Sequence, residues 1–168
     1  MRLSTYALTF LLAATPMLLT GCAGGGGTDS QPPAASVPPV VELAEPVQIL
    51  AKLHGTQKQI DSYGLGILDA EAVAGLGLFE DFAEIGVSVD LAVHSVVLFS
   101  LGEQNTGGFS ADINGLQIKG DELYVQGTAI APGSDAVVTQ ALTYPYCVVA
   151  VPKLPAGLTL LSDITSLP

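Results

Sequence analysis

Val93-His94-Ser95-Val96-Val97-Leu98-Phe99-Ser100-Leu101 decides the fold class. A half-exposed strand alternates apolar and polar residues. This stretch is apolar on both faces, as a strand covered from both sides must be, so it reads as a central strand. Beyond it, Phe109, Ala111 and Ile113 alternate up to Asn114-Gly115, a tight-turn dipeptide. Leu116 and Ile118 continue to a second break at Gly120-Asp121. Residues 123–131 form the next expected strand, ended by Pro132-Gly133-Ser134-Asp135, and strands at 136–142 and 146–151 follow on either side of Thr143-Tyr144-Pro145. Residues 158–161 are expected to close the sheet. Upstream, Val47, Ile49, Ala51 and Leu53 alternate with polar positions, and Tyr63, Leu65 and Ile67 repeat the pattern. Asp69 stands where it can cap one helix over residues 70–84, in which Gly75 and Gly77 each cost about 1 kcal/mol. The expected fold is mainly β (α+β): a compact antiparallel sheet or sandwich with one short helix near the domain start.

The amino terminus has a different character. Arg2 precedes an apolar run over residues 6–19, and Leu19-Thr20-Gly21-Cys22 follows. That run is too short to span a bilayer and ends in a cleavage-like site, which marks a secretory signal peptide. Leu-Thr-Gly-Cys in this position resembles the lipobox of bacterial lipoproteins. The resemblance implies cleavage after Gly21 and diacylation of Cys22, which becomes the mature terminus. Buried acyl chains hold a protein to a membrane at about 0.8 kcal/mol per CH₂. Glycines 24–27, then Pro32-Pro33 and Pro38-Pro39, compose a flexible and then stiffer tether. The expected division is a signal peptide at 1–21, a lipidated cysteine with its Gly/Pro-rich tether at 22–45, and a β-rich globular domain at 46–168. The implied location is the bacterial cell envelope, outside the cytoplasm. Ala23 stands where inner-membrane lipoproteins carry an aspartate, so the outer membrane is implied where the organism has one.

Composition excludes two function classes. The 168 residues carry 16 Asp+Glu against 5 Lys+Arg, a formal charge of −11, so the basic footprint of a nucleic-acid binder is missing. A hydrophobic share of 49% excludes a disordered chain. Reactive groups are scarce. His54 and His94 each lie alone in a strand-like pattern, with no ligand partner at a local metal-site spacing, and read as structural. Cys147 sits in the apolar run Tyr146-Cys147-Val148-Val149-Ala150-Val151 and reads as a small buried hydrophobe. The chain is therefore expected to be no enzyme and to use no metal and no cofactor.

Two segments stand out. Gly102-Glu103-Gln104-Asn105-Thr106-Gly107-Gly108-Phe109 joins the apolar strand to the alternating one through residues that tolerate positive φ. It is either a plain hairpin loop or a surface that presents polar backbone and an aromatic to a partner. Thr139-Gln140-Ala141-Leu142-Thr143-Tyr144-Pro145-Tyr146 breaks a strand pair with a proline between two tyrosines, which are either core residues or contact residues. The candidate partner-binding residues are Gly102, Asn105, Thr106, Gly107, Gly108, Phe109, Tyr144, Pro145 and Tyr146.

In order, Asp90-Leu91, the strand at 96–101, the loop at 102–109, Pro132-Gly133 and the run at 139–151 resemble the PrcB-like family, lipoprotein subunits of bacterial surface protease complexes. The likeness covers about residues 86–153. Leu91, Asn105 and Phe109 depart from the family's phenylalanine, proline and tyrosine. The resemblance implies a non-catalytic, lipid-anchored subunit that binds and stabilises an extracytoplasmic protease or another envelope protein. A stand-alone structural or ligand-binding lipoprotein, and less readily a protease inhibitor, are the alternatives.

Overall fold

The computed structural model describes residues 43–168, so the expected signal peptide, Cys22 and nearly all of the tether lie outside the described residues. Among the described residues, eight strands and two short helices follow one another as β1 (Glu45–Val47), β2 (Ala51–Gly55), β3 (Tyr63–Leu68), α1 (Ala70–Gly75), α2 (Leu78–Glu84), β4 (His94–Leu101), β5 (Ser110–Lys119), β6 (Glu122–Ile130), β7 (Tyr146–Pro152) and β8 (Thr159–Leu167). Two four-stranded sheets result, ordered β1-β5-β6-β8 and β2-β7-β4-β3. The mainly β sandwich expected from the sequence is the observed fold.

The two apolar faces of β4 bury into two different cores. Val97, Phe99 and Leu101 join Cys147, Val149 and Val151 of β7 against Ile113, Leu116, Leu123 and Val125 of the other sheet. On the opposite face, Val96 of β4 and Val148 and Ala150 of β7 meet Val73 of α1 and Leu78 and Phe82 of α2. The architecture is thus sheet, sheet, helices, and the inner strands β4 and β7 of the middle sheet carry apolar residues on both faces because that sheet has a neighbour on each side. Within it β7 is the central partner, pairing β2 on one edge and β4 on the other.

Several elements differ from the sequence expectation. The single helix over residues 70–84 is two helices, because Gly77 adopts φ 63° and serves as the N-cap of α2. Asp69 caps α1 as expected, its carboxylate accepting from the Ala72 amide at 2.8 Å. The alternating run at 47–53 is two strands in different sheets, β1 on β5 and β2 on β7, and the chain crosses between them around Leu50. Asn114-Gly115 is not a turn: β5 runs through it with a bulge between Ile113 and Gly115, and Asn114 Nδ2 donates to Thr128 Oγ1 at 2.7 Å. The β5–β6 turn lies instead at Gly120, where φ is 57°. Residues 136–142 form no strand, and Val137 is fully exposed. β8 extends well beyond 158–161 and pairs β6 in parallel, so the sheets are not wholly antiparallel. Among the described residues no helix is long and apolar enough to cross a membrane.

Candidate functional site: two loops joined at one end of the sandwich

The two distinctive segments, about forty positions apart in sequence, are one structure in space. Gln104 and Thr143 form an antiparallel bridge, exchanging backbone hydrogen bonds of 2.8 and 2.9 Å. The Gly107 amide donates to the Thr139 carbonyl at 2.9 Å, and the Thr143 hydroxyl donates to the Thr106 carbonyl at 2.8 Å. The Leu101 amide donates to the Pro145 carbonyl at 2.9 Å, which ties both segments to the end of β4. Tyr144 closes the set: its hydroxyl donates to Glu103 Oε2 at 3.0 Å, and its amide donates to the Thr56 carbonyl. The hydrogen bond from its proton to the Glu103 carboxylate raises the Tyr144 phenol above its ordinary value.

The glycines are set by contact as well as by conformation. Gly102 has φ 68°, and a Cβ there would lie 2.9 Å from the Tyr63 amide nitrogen and 3.0 Å from the Asp61 carbonyl. At Gly107 a Cβ would collide with the Thr139 hydroxyl. At Gly108, where φ is 91°, it would meet Pro132 and Val138. Gly107 therefore lets the first loop lie against Thr139 of the second, while Gly108 admits Pro132 and Val138 and Gly102 admits the chain entering β3.

The candidate residues separate by depth. Asn105 and Gly108 are exposed, and Thr106, Gly107, Phe109 and Tyr144 are half-buried at the surface. Gly102, Pro145 and Tyr146 are buried. These three offer little surface of their own. Tyr146 is a core residue of the helix-facing layer, packed so closely over Gly55 that any side chain there would collide with its hydroxyl. Beside the joined loops lies an open hollow of about 180 Å³, lined by Tyr63, Leu101, Gln104, Phe109, Ile130 and Leu167 among others. Tyr63, Ile130 and Leu167 are large apolar residues left exposed there, and Val137 and Leu142 are exposed on the second segment. The polar double loop thus lies beside exposed apolar side chains, with hydrogen-bonding groups next to apolar area.

Residues 95–152 match the family model described as PrcB C-terminal. Over this segment the chain is PrcB-like. No curated protein and no solved structure matches the chain. The PrcB-like segment runs from β4 to β7 and contains both loops together with the central strand pair that carries them. Asp90 and Leu91 precede it. Asp90 shapes the turn into β4, its carboxylate accepting from the Ala92 amide at 2.9 Å, and Leu91 packs on the helix-facing core.

A second cluster escapes sequence reading. Asp112 Oδ1 accepts from Lys52 Nζ at 2.8 Å and from His54 Nε2 at 3.0 Å, and Cys147 Sγ lies 3.7 Å away. Burial raises the Asp112 carboxyl, but the hydrogen bonds from Lys52 and His54 outweigh it, and the group sits below its ordinary value. Burial also pushes the Cys147 thiol up to about 12, so by itself it is no nucleophile at neutral pH. No local spacing announces this cluster: His54 meets Cys147 only because β2 and β7 pair in that register. His94 Nδ1 accepts from the Asp90 amide at 3.1 Å.

Proposed function

We propose that this chain is a lipid-anchored, non-catalytic binding protein of the bacterial envelope, a subunit that holds and stabilises an extracytoplasmic protease complex. The observation that carries the proposal is the fusion of the loops at 102–109 and 139–146 into one hydrogen-bonded surface beside exposed Tyr63, Ile130 and Leu167. Those loops fall within the PrcB-like segment. Cys22 supplies the anchor in this reading, and the Gly/Pro-rich residues after it give the domain reach from the membrane. The partner is met through Asn105, Thr106, Gly107, Gly108, Phe109 and Tyr144. No nucleic acid, metal or cofactor takes part in that contact.

The test is purification of the native chain from solubilised membranes, with the wild type beside a variant whose residues 106–109 are replaced by a plain hairpin turn. The expected result is a protease that co-purifies with the wild type and is lost from the variant, whose circular dichroism is unchanged. A wild-type chain recovered alone points to a stand-alone envelope lipoprotein and contradicts the proposal. Retention of the partner by the folded variant contradicts the assigned surface.

A further inference from the structure

Away from the joined loops, His54, Asp112 and Cys147 come from three strands, β2, β5 and β7. His54 and Cys147 stand directly opposite one another in the β2–β7 pairing, so their side chains leave the same face of one sheet, and Asp112 reaches them from the other sheet. The three donor atoms lie within 4.8 Å of one another, with Asp112 Oδ1 at 3.0 Å from His54 Nε2 and 3.7 Å from Cys147 Sγ. Neighbouring ligand atoms of a tetrahedral zinc, with bonds of about 2.0–2.3 Å, lie roughly 3.3–3.8 Å apart. The cluster is therefore already near coordination spacing, on paired strands that hold side chains more firmly than loops do.

We propose that His54 Nε2, the Asp112 carboxylate and Cys147 Sγ form a binding site for a borderline-soft divalent transition ion, with Zn²⁺ as the best match. One nitrogen, one oxygen and one sulfur ligand suit that ion, and three protein ligands leave a fourth position for water. His54 is exposed and Cys147 is buried, so the ion enters past the imidazole and rests on the sulfur. Binding replaces the thiol proton: the S–H bond of Cys147 breaks, a metal–sulfur bond forms, and one proton leaves to solvent. No oxidant or reductant is needed. Lys52 is the built-in competitor, because its ammonium lies 2.8 Å from the same Asp112 Oδ1 that the ion needs. Its side chain is 30% exposed, so it can withdraw to the second carboxylate oxygen or to solvent when the ion arrives.

The test is a titration of the purified full chain with Co²⁺ alone, followed by Zn²⁺. The expected result is a one-to-one thiolate-to-cobalt charge-transfer band in the near ultraviolet that Zn²⁺ abolishes. Cys147→Ser removes the band. His54→Ala, at an exposed position that leaves the core intact, weakens Co²⁺ binding at least tenfold. Lys52→Met tightens it severalfold. No band at millimolar Co²⁺, a band that survives in C147S, an H54A affinity equal to the wild type's, or a K52M affinity no higher than the wild type's overturns the proposal.

Discussion

Gly102 and Gly64 lie at the same end of the β3–β4 pair, where Tyr63 faces Leu101, and their surroundings assign them opposite tolerances. Gly102 combines a left-handed φ of 68° with backbone atoms at 2.9 and 3.0 Å from the position of a Cβ, whereas Gly64 has nothing within 4 Å. Gly102→Ala is expected to lower unfolding free energy by about 1–3 kcal/mol, and Gly64→Ala to change it by less than about 0.5 kcal/mol, both read from urea unfolding curves. Cys147 offers a second residue-scale outcome. Fully buried, with its thiol pushed up to about 12, it should resist alkylation at pH 8 in the metal-free native protein and react fully in urea, as peptide mass spectrometry would show. The sign of its pH linkage follows from the upward shift. The neutral thiol contributes stability in full below the unfolded value of about 8.5. That contribution is lost as pH climbs towards about 12. The residues of this second cluster show why sequence reading stops where it does: Lys52, His54, Asp112 and Cys147 carry no motif, and only strand register and sheet packing bring them together.

Strand composition was informative where a strand had two neighbours. β4 and β7 are legible from sequence because each serves a core on both faces, and β6 because Leu123 and Val125 alternate with polar positions. Elements failed where backbone geometry, and not hydrophobic pattern, made the decision. Gly77 cuts the helix by turning left-handed, and Asn114-Gly115 is absorbed as a bulge because its neighbours on both sides remain paired to β6. The apolar look of residues 136–142 is misleading for another reason. Their segment is held by contacts with the loop at 102–109 and has no strand beside it, so Val137 and Leu142 stay exposed. The loop pair itself has a definite energetic handle. Thr143→Val deletes the hydroxyl bond to the Thr106 carbonyl while keeping the shape of the side chain. The expected cost is about 1 kcal/mol. Amide exchange at Gln104 and Gly107, both bonded across the same junction, should quicken by more than that of β7.

At the scale of the whole chain, the formal charge of −11 on a protein with only 12% charged residues sets how it can meet a membrane. Anionic lipid repels such a domain, so in the proposed function attachment falls to a lipid on Cys22. Labelled palmitate should enter the wild-type chain and not Cys22→Ala, and label in both would remove the anchor from the account. The central claim is that the joined loops, and not the helical face, meet another protein. Site-specific photo-crosslinking in intact cells tests it most directly, with the crosslinking residue placed at exposed Asn105 in the loop pair or at exposed Glu80 on α2. The account predicts a discrete protein adduct from position 105 and none from position 80. No adduct from position 105, or the same adduct from both positions, would contradict it.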